Sequence, residues 1–363
     1  MMESRIYELW LLNSSIIPFS SKMKLVTYFE NSFNLYNANR TQLLSSGLLK
    51  EAMVEALLED KNRRNIEKDY ENFMRSPYSF MTSESEGYPR QLLDIFDPVY
   101  GFFYYGKLPE LRNGVAMVGA RRCTAYGKKM AKELARGLGQ AGITVISGMA
   151  RGIDSFSHMG CIEGGGKTIA VLGSGLDVIY PAENASLYEN IKDNGCVLSE
   201  YCMGTQPKPQ FFPIRNRIVS ALAKTVVVVE ARDKSGSLIT ADLALDQGKD
   251  VYVFPGRLTD SLSFGCNRLL SQGAGIIYSI DQFVTDIAPV KESKKCQVMQ
   301  PELTQVLSKE ELVVYSCFDF YPKSLSLVEE QCHFDYLQLL QIVMRLEEKG
   351  YISEVFKNQY VIC

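Results

Sequence analysis

The chain has 363 residues, enough for two or three packed units at roughly 100–200 residues each, so a buried core needs neither disulfides nor metals. With 46% hydrophobic and 22% charged residues, the composition is not that of a disordered, collagen-like or membrane protein. The 39 Lys+Arg against 42 Asp+Glu give a formal net charge of -3 and a pI near 5.7, so there is no global attraction for a polyanion and any such binding must come from local clustering.

No segment approaches the ~20 apolar residues of a bilayer span, and the opening residues lack a secretory signal pattern, so no membrane contact and a cytoplasmic location are expected. Nine cysteines without any CxxC pair predict reduced thiols. From residue 24 to about 75, amphipathic stretches such as the run Leu43, Leu44, Leu48, Met53, Leu57 and Leu58 alternate with polar turns, which predicts a small helical, SAM-like domain over residues 1–84. Its cations Lys61, Arg63, Arg64 and Lys68 are interleaved with Glu59, Asp60, Glu67 and Asp69, the pattern of a solvated helix face. Gly87-Tyr88-Pro89, Asp97-Pro98 and the aromatic run 102–105 closed by Gly106 predict turns around a short strand that connects to the next domain.

From Gly114 the pattern becomes strand, turn, helix, repeated. Apolar strands are predicted at 115–118, 143–146, 168–172, 226–229 and 251–254, with a last short one near 276–277. After Tyr126, Met130, Leu134 and Leu138 fall on one helical face while Lys128, Lys129, Lys132 and Arg136 turn outward. Val/Ile-rich strands alternating with helices predict a doubly wound, mostly parallel α/β sheet covered on both faces, within a domain over 85–290. The charged stretch 291–295 reads as a linker. Helices over 309–318, 324–329 and 336–349, followed by a terminal hairpin, predict a winged helix-turn-helix domain over 291–363. Its third helix carries Arg345 and Lys349 but also Glu347 and Glu348, so DNA and protein both remain open as its partner.

The glycines fall where the strands end: Gly119, Gly148 and Gly152, Gly173 and Gly175, Gly236, and Gly256. At the carboxyl edge of a parallel sheet, such turns let backbone N–H groups and helix N-termini approach an anion; tight turns without a ligand are the alternative. Gly160 to Thr168 ends in Gly-Lys-Thr but precedes a strand, so it lacks P-loop mechanics, and Gly119-Ala120-Arg121 lacks dinucleotide-site spacing. Arg121, Arg122, Arg151, Arg215 and Arg217 would gather on the same edge, with planar forks suited to phosphate. Phe211 and Phe212 could stack bases or pack beside Pro213. His158 and His333 are the only histidines and read as structural, so neither a His-based catalytic set nor a metal site is expected, and no cofactor. Glu200, Glu230 and Asp154 remain as carboxylates near strand ends, Asp154 being equally placed to favour its own helix N-terminus.

Taken in order, Val118-Gly119-Ala120-Arg121, Ser147-Gly148-Met149-Ala150-Arg151-Gly152-Ile153-Asp154, Gly173-Ser174-Gly175-Leu176-Asp177 and Phe212-Pro213-Ile214-Arg215-Asn216-Arg217 resemble the DNA-processing protein A family (DprA, also called Smf). So do Ser235-Gly236-Ser237-Leu238-Ile239-Thr240 and Val253-Phe254-Pro255-Gly256. The resemblance implies an extended Rossmann domain and a non-enzymatic, sequence-independent single-stranded-DNA binder. It also implies a homodimer that protects incoming DNA during natural transformation and loads the RecA recombinase. Ala120 stands where the family usually has Ser or Thr, which removes a hydroxyl contact and leaves that of Arg121. Arg121 and the segment 208–217 are implied as strand contacts. The expected site is Gly119, Arg121, Ser147, Gly148, Arg151, Gly152, Gly173, Ser174, Gly175, Lys208, Phe211, Phe212, Arg215, Asn216, Arg217, Ser235, Gly236 and Ser237. Two other readings are a phosphoribohydrolase of nucleoside monophosphates, although the double glycine usual there is missing at 235–240, and a duplex-binding regulator with an α/β sensing body.

Overall fold

The computed structural model describes residues 2–288, 307–318, 323–332, 334–356 and 358–362, in two compact units, Met1–Pro289 and Val290–Cys363. The predicted linker at 291–295 and His333 lie outside the described residues.

The first unit opens with six helices: α1 (Met2–Asn13), α2 (Phe19–Phe29), α3 (Ser32–Asn37), α4 (Arg40–Ser45), α5 (Glu51–Arg63) and α6 (Ile66–Met74). Asn31, Asn39 and Asn65 cap α3, α4 and α6 by accepting backbone N–H groups of the first turn. The expected solvated face of α5 holds for Arg63, which pairs with exposed Glu59, but not for Lys61. The Lys61 ammonium donates to the Tyr36 carbonyl at the end of α3, and burial pushes its pKa down to about 8.

Nine strands follow: β1 (Ser79–Thr82), β2 (Gly101–Gly106), β3 (Val115–Val118), β4 (Val145–Ser147), β5 (Thr168–Val171), β6 (Gly195–Ser199), β7 (Thr225–Val228), β8 (Asp250–Val253) and β9 (Gly275–Ile276). They form one sheet in the order β1-β2-β6-β5-β4-β3-β7-β8-β9. At one edge β2 pairs antiparallel with both β1 and β6, and the pairings from β6 through to β9 are parallel, with Val115 opposite Val145 on one side and Thr225 on the other. The aromatic run is therefore a sheet strand, not a connector lying outside it.

Because side chains alternate along a strand, Ala116 and Val118 enter one core while Val115 and Met117 enter the opposite one. α10 (Phe211–Leu222), α11 (Gly236–Asp246) and α12 (Phe264–Ser271) supply Leu222, Leu238 and Leu269 to the first. α7 (Ala125–Gln140), α8 (Ile153–Glu163) and α13 (Ile280–Ile287) supply Leu134, Cys161 and Phe283 to the second. α9 (Ala185–Asp193) shares a third core with the amino-terminal helices, where Trp10, Leu25 and Leu57 meet Phe103, Ala170 and Val197 of the sheet.

The second unit contains α14 (Lys309–Ser316), β10 (Lys323–Ser324), α15 (Leu325–Cys332), α16 (Tyr336–Glu348), β11 (Ile352–Phe356) and β12 (Gln359–Ile362). Its sheet order is β10-β12-β11, and Leu339, Ile342 and Val343 of α16 are buried in its own core.

Candidate nucleic-acid interface

β3 leads to β4, β5 and β6 on one side and has β7, β8 and β9 on the other, so β3 and β7 run parallel while the order of strand addition reverses between them. An open α/β sheet leaves a crevice at such a switch point, beyond the carboxyl ends of its strands. A pocket of about 400 Å³ lies there, lined by residues of the β3, β4 and β7 turns together with Pro209, Phe212, Pro213, Arg215 and Asn216.

Its exposed cation is Arg121. Buried Glu230, two residues past the end of β7, accepts the Thr124 backbone N–H at 2.9 Å and the Thr124 hydroxyl, which ties the Arg121 turn to the far side of the crevice. The Arg121 guanidinium lies 5.2 Å from the Phe212 ring centroid and has no acidic partner among the described residues. Phe212 in turn lies 5.6 Å from Tyr180, a half-exposed ring outside the expected set. Lys208, exposed and also without an acidic partner among the described residues, stands 5.7 Å from the ring of Phe211, which packs at 4.5 Å on Tyr201. Phe211 and Phe212 are both half-buried, each giving one side to the protein and keeping part of the ring at the surface.

Arg151, on the adjoining β4 turn, is exposed and forms a bidentate pair with Glu183 at 2.5 and 2.7 Å. Arg121, Arg151, Tyr180 and Phe212 line a small second cleft of about 40 Å³, so these groups share one ledge.

Arg215 and Arg217 add no exposed cation to that ledge, although Arg215 lines the pocket behind it. Arg215 is buried and donates to the Gly148 carbonyl at 2.8 Å and to the Val171 carbonyl, closing the carboxyl ends of β4 and β5; burial pushes its pKa down to about 10. Arg217 is buried elsewhere, its Nη2 donating to both Glu200 oxygens at 2.8 and 2.7 Å with Asp97 3.3 Å from its Nε. Desolvation raises the Glu200 pKa against the pull of that guanidinium. Two residues along an α-helix are ~200° apart, so these arginines cannot face one groove.

The glycine and serine positions divide in the same way. A Cβ at Gly119 would meet Ile153 at 2.6 Å, one at Gly173 the Phe212 ring at 3.0 Å and one at Gly175 the Cys202 carbonyl at 2.6 Å. At Gly148 it would strike the Arg215 guanidinium, and at Gly152, with φ +76°, the Ala120 carbonyl. Internal packing thus accounts for these five, whereas Gly236 has open space around it. Ser147 donates to the Met117 carbonyl at 2.6 Å and Ser174 to the Val178 carbonyl at 2.8 Å, both buried. Ser235 caps α11 and, with Ser237, reaches the pocket.

Asp154 lines the pocket and accepts the N–H groups of Gly148 and Ala150 at 3.2 and 3.4 Å; burial raises its pKa to about 6, opposed by Arg215. His158, one turn further along α8, is buried with Nδ1 2.6 Å from the Thr168 hydroxyl, and burial pushes its pKa down to about 3. The expected structural role of His158 agrees with that position. Thr240 was missing from the expected set, although its place four residues after Gly236 puts it on the pocket face of α11.

The model of the family described as DNA recombination-mediator protein A matches residues 79–288. DNA processing protein DprA of Streptococcus pneumoniae is 36% identical over 279 residues, 75% of this chain and 95% of that protein. Protein Smf of Synechocystis is 35% identical over 272 residues, 74% of this chain and 68% of that protein. Among solved structures, S. pneumoniae DNA processing protein A aligns with a TM-score of 0.69 at 35% identity, covering 77% of this chain and 97% of that one. DNA processing protein A of Helicobacter pylori, reported for its unique single-stranded DNA binding mode, aligns with a TM-score of 0.53 at 33% identity over 59% of this chain and 96% of that one. The chain belongs to the DNA recombination-mediator protein A family, the DNA-processing proteins DprA and Smf.

Proposed function

We propose that this chain binds single-stranded DNA on the ledge formed by Arg121, Arg151, Tyr180, Lys208, Phe211 and Phe212, with Asn216, Ser235, Gly236 and Ser237 lining the pocket behind it. The observation that carries the reading is the unpaired Arg121 guanidinium held against the Phe212 ring at the mouth of the switch-point pocket. A fixed cation beside a half-exposed ring matches a phosphate and its neighbouring base, and neither contact selects sequence. The single-strand binding reported for the H. pylori relative supports the same reading.

Within that reading the chain protects incoming DNA in natural transformation, acts as a homodimer in the cytoplasm, and passes its strand to the RecA recombinase. Residues 1–84 and 85–290 serve as helical and strand-binding domains, and residues 291–363 as a winged-helix domain. In the second unit, Lys349 pairs with Glu311 at 2.8 Å and Arg345 lies 3.9 Å from the same carboxylate, so Arg345 of α16 and Lys349 directly after it are turned toward α14. That favours a protein over duplex DNA as the partner of this domain.

The test is a fluorescence-anisotropy titration of labelled oligo-dT and of a mixed-sequence duplex with the full chain. Tighter binding to the single strand is expected; equal or tighter binding to the duplex overturns the reading.

A further inference from the structure

Behind the ledge, the switch-point pocket holds more hydrogen-bond donors than a passing strand requires. Its volume of about 400 Å³ falls at the lower end of the roughly 300–1,000 Å³ typical of small-molecule sites. The first turn of α11, an 11-residue helix, opens onto it at Ser235, Gly236 and Ser237, where backbone N–H groups lack intrahelical acceptors and Gly236 leaves the approach clear. Thr240 lines the same space at 1% exposure, and its hydroxyl has no hydrogen-bond partner among the described residues. Its oxygen is not among the side-chain atoms sealed from solvent without a partner, so it opens onto the pocket space, and it does not bond the preceding turn as a helical Thr can. Asn216 accepts Arg215 Nε at 3.2 Å through its Oδ1, which leaves its Nδ2 without an acceptor among the described residues. Arg121 adds an unpaired guanidinium at the mouth.

We propose that this pocket receives a phosphate monoester carried on a nucleotide, either the 5′-phosphorylated end of a strand or a free nucleoside monophosphate. A phosphodiester has two free oxygens and one negative charge. A monoester presents three acceptor oxygens and a charge of ≈ −1.5 to −2 at neutral pH. Arg121, the α11 N–H groups, the Thr240 hydroxyl and the Asn216 amide are distinct donors, and the third oxygen gives Thr240 an acceptor that a diester bound by the others would not supply. Asp154 is not left opposing the anion unbalanced, because its carboxylate accepts two backbone N–H groups beside the Arg215 guanidinium. The strand-end source of the ligand rests on the single-strand reading above; the pocket chemistry does not.

The test uses the full chain and four probes: 5′-phosphorylated oligo-dT, 5′-hydroxyl oligo-dT, dTMP and thymidine. dTMP is expected to bind about tenfold or more tightly than thymidine, a margin fitted to charge-assisted hydrogen bonds. Preference for the 5′-phosphorylated oligonucleotide assigns the strand end as source, and its absence beside dTMP binding assigns the free nucleotide. Thr240→Val should erase the phosphate preference and Thr240→Ser retain it; if Thr240→Val fails to fold, Asn216→Ala carries the same comparison. Equal binding of dTMP and thymidine with no end preference, or a preference that survives these variants, overturns the proposal. Oligonucleotide binding blind to the phosphate, together with equal binding of dTMP and thymidine, would remove this inference alone. dTMP binding with no oligonucleotide binding would remove the single-strand reading alone.

Discussion

At Arg121 the guanidinium has no carboxylate partner, so deleting it removes a charge without stranding another. Arg121→Ala is expected to weaken oligo-dT binding by about 1–3 kcal/mol, as for loss of a charge-assisted hydrogen bond, read from an anisotropy titration at moderate salt. Arg151 differs because Glu183 already occupies its fork. Glu183→Gln should therefore raise affinity for the same oligonucleotide by a few-fold; unchanged or weaker binding would show that Arg151 does not touch the strand. Arg121 was legible in the sequence because a cation in the first βα turn of a parallel sheet has one place to go. Arg217 was misjudged because charge and proximity in sequence hide which side of a helix faces the site, although the two-residue offset from Arg215 already set them on opposing sides. The glycines misled for a related reason: a missing side chain marks a close approach, and here the approaching group is mostly the protein itself.

At the scale of the element, α8 carries two buried titratable groups with opposite linkage. Asp154 has a folded pKa of about 6 against an ordinary 3.8, so the stability it contributes is present below pH 3.8 and is lost as pH rises through about 6. His158 has a folded pKa of about 3 against 6.5, so its contribution is present above pH 6.5 and is lost as pH falls toward about 3. Between about pH 4 and 6 the two slopes oppose each other. Asp154→Asn should leave that of His158 uncompensated, so that stability climbs with pH about 1.4 kcal/mol per unit more steeply than in the parent, measured by urea unfolding across that window. Parallel curves would rule out the assignment. Most strands were legible as Val/Ile runs, and β3 matches its predicted span. β6, Gly-Cys-Val-Leu-Ser, escaped notice because a single β-branched residue gives a five-residue strand little signal; its identity comes from pairing with β5 and β2.

For the whole molecule, a net charge of -3 coexists with a ledge bearing Arg121, Arg151 and Lys208. If these three neutralise phosphates, the logarithm of the binding constant should fall with the logarithm of salt concentration at a slope of about −2, and a flat dependence would count against an ionic ledge. The helical module is not a detachable appendage, because Trp10, Leu25 and Leu57 share a core with Phe103 and Val197 of the sheet. Residues 85–289 alone would expose that face and are expected to aggregate on size-exclusion chromatography, whereas residues 1–289 should elute as a folded species. The sequence showed the change of pattern near residue 85 but not the shared interior, since composition marks where a segment changes character and not what it leans on. The Arg151–Glu183 fork has a further effect on how a bound polymer would travel. With a carboxylate tethered beside the guanidinium as an internal decoy, a departing phosphate leaves no bare cation behind, so the chain could advance by swapping one anion for another, link by link, instead of detaching whole.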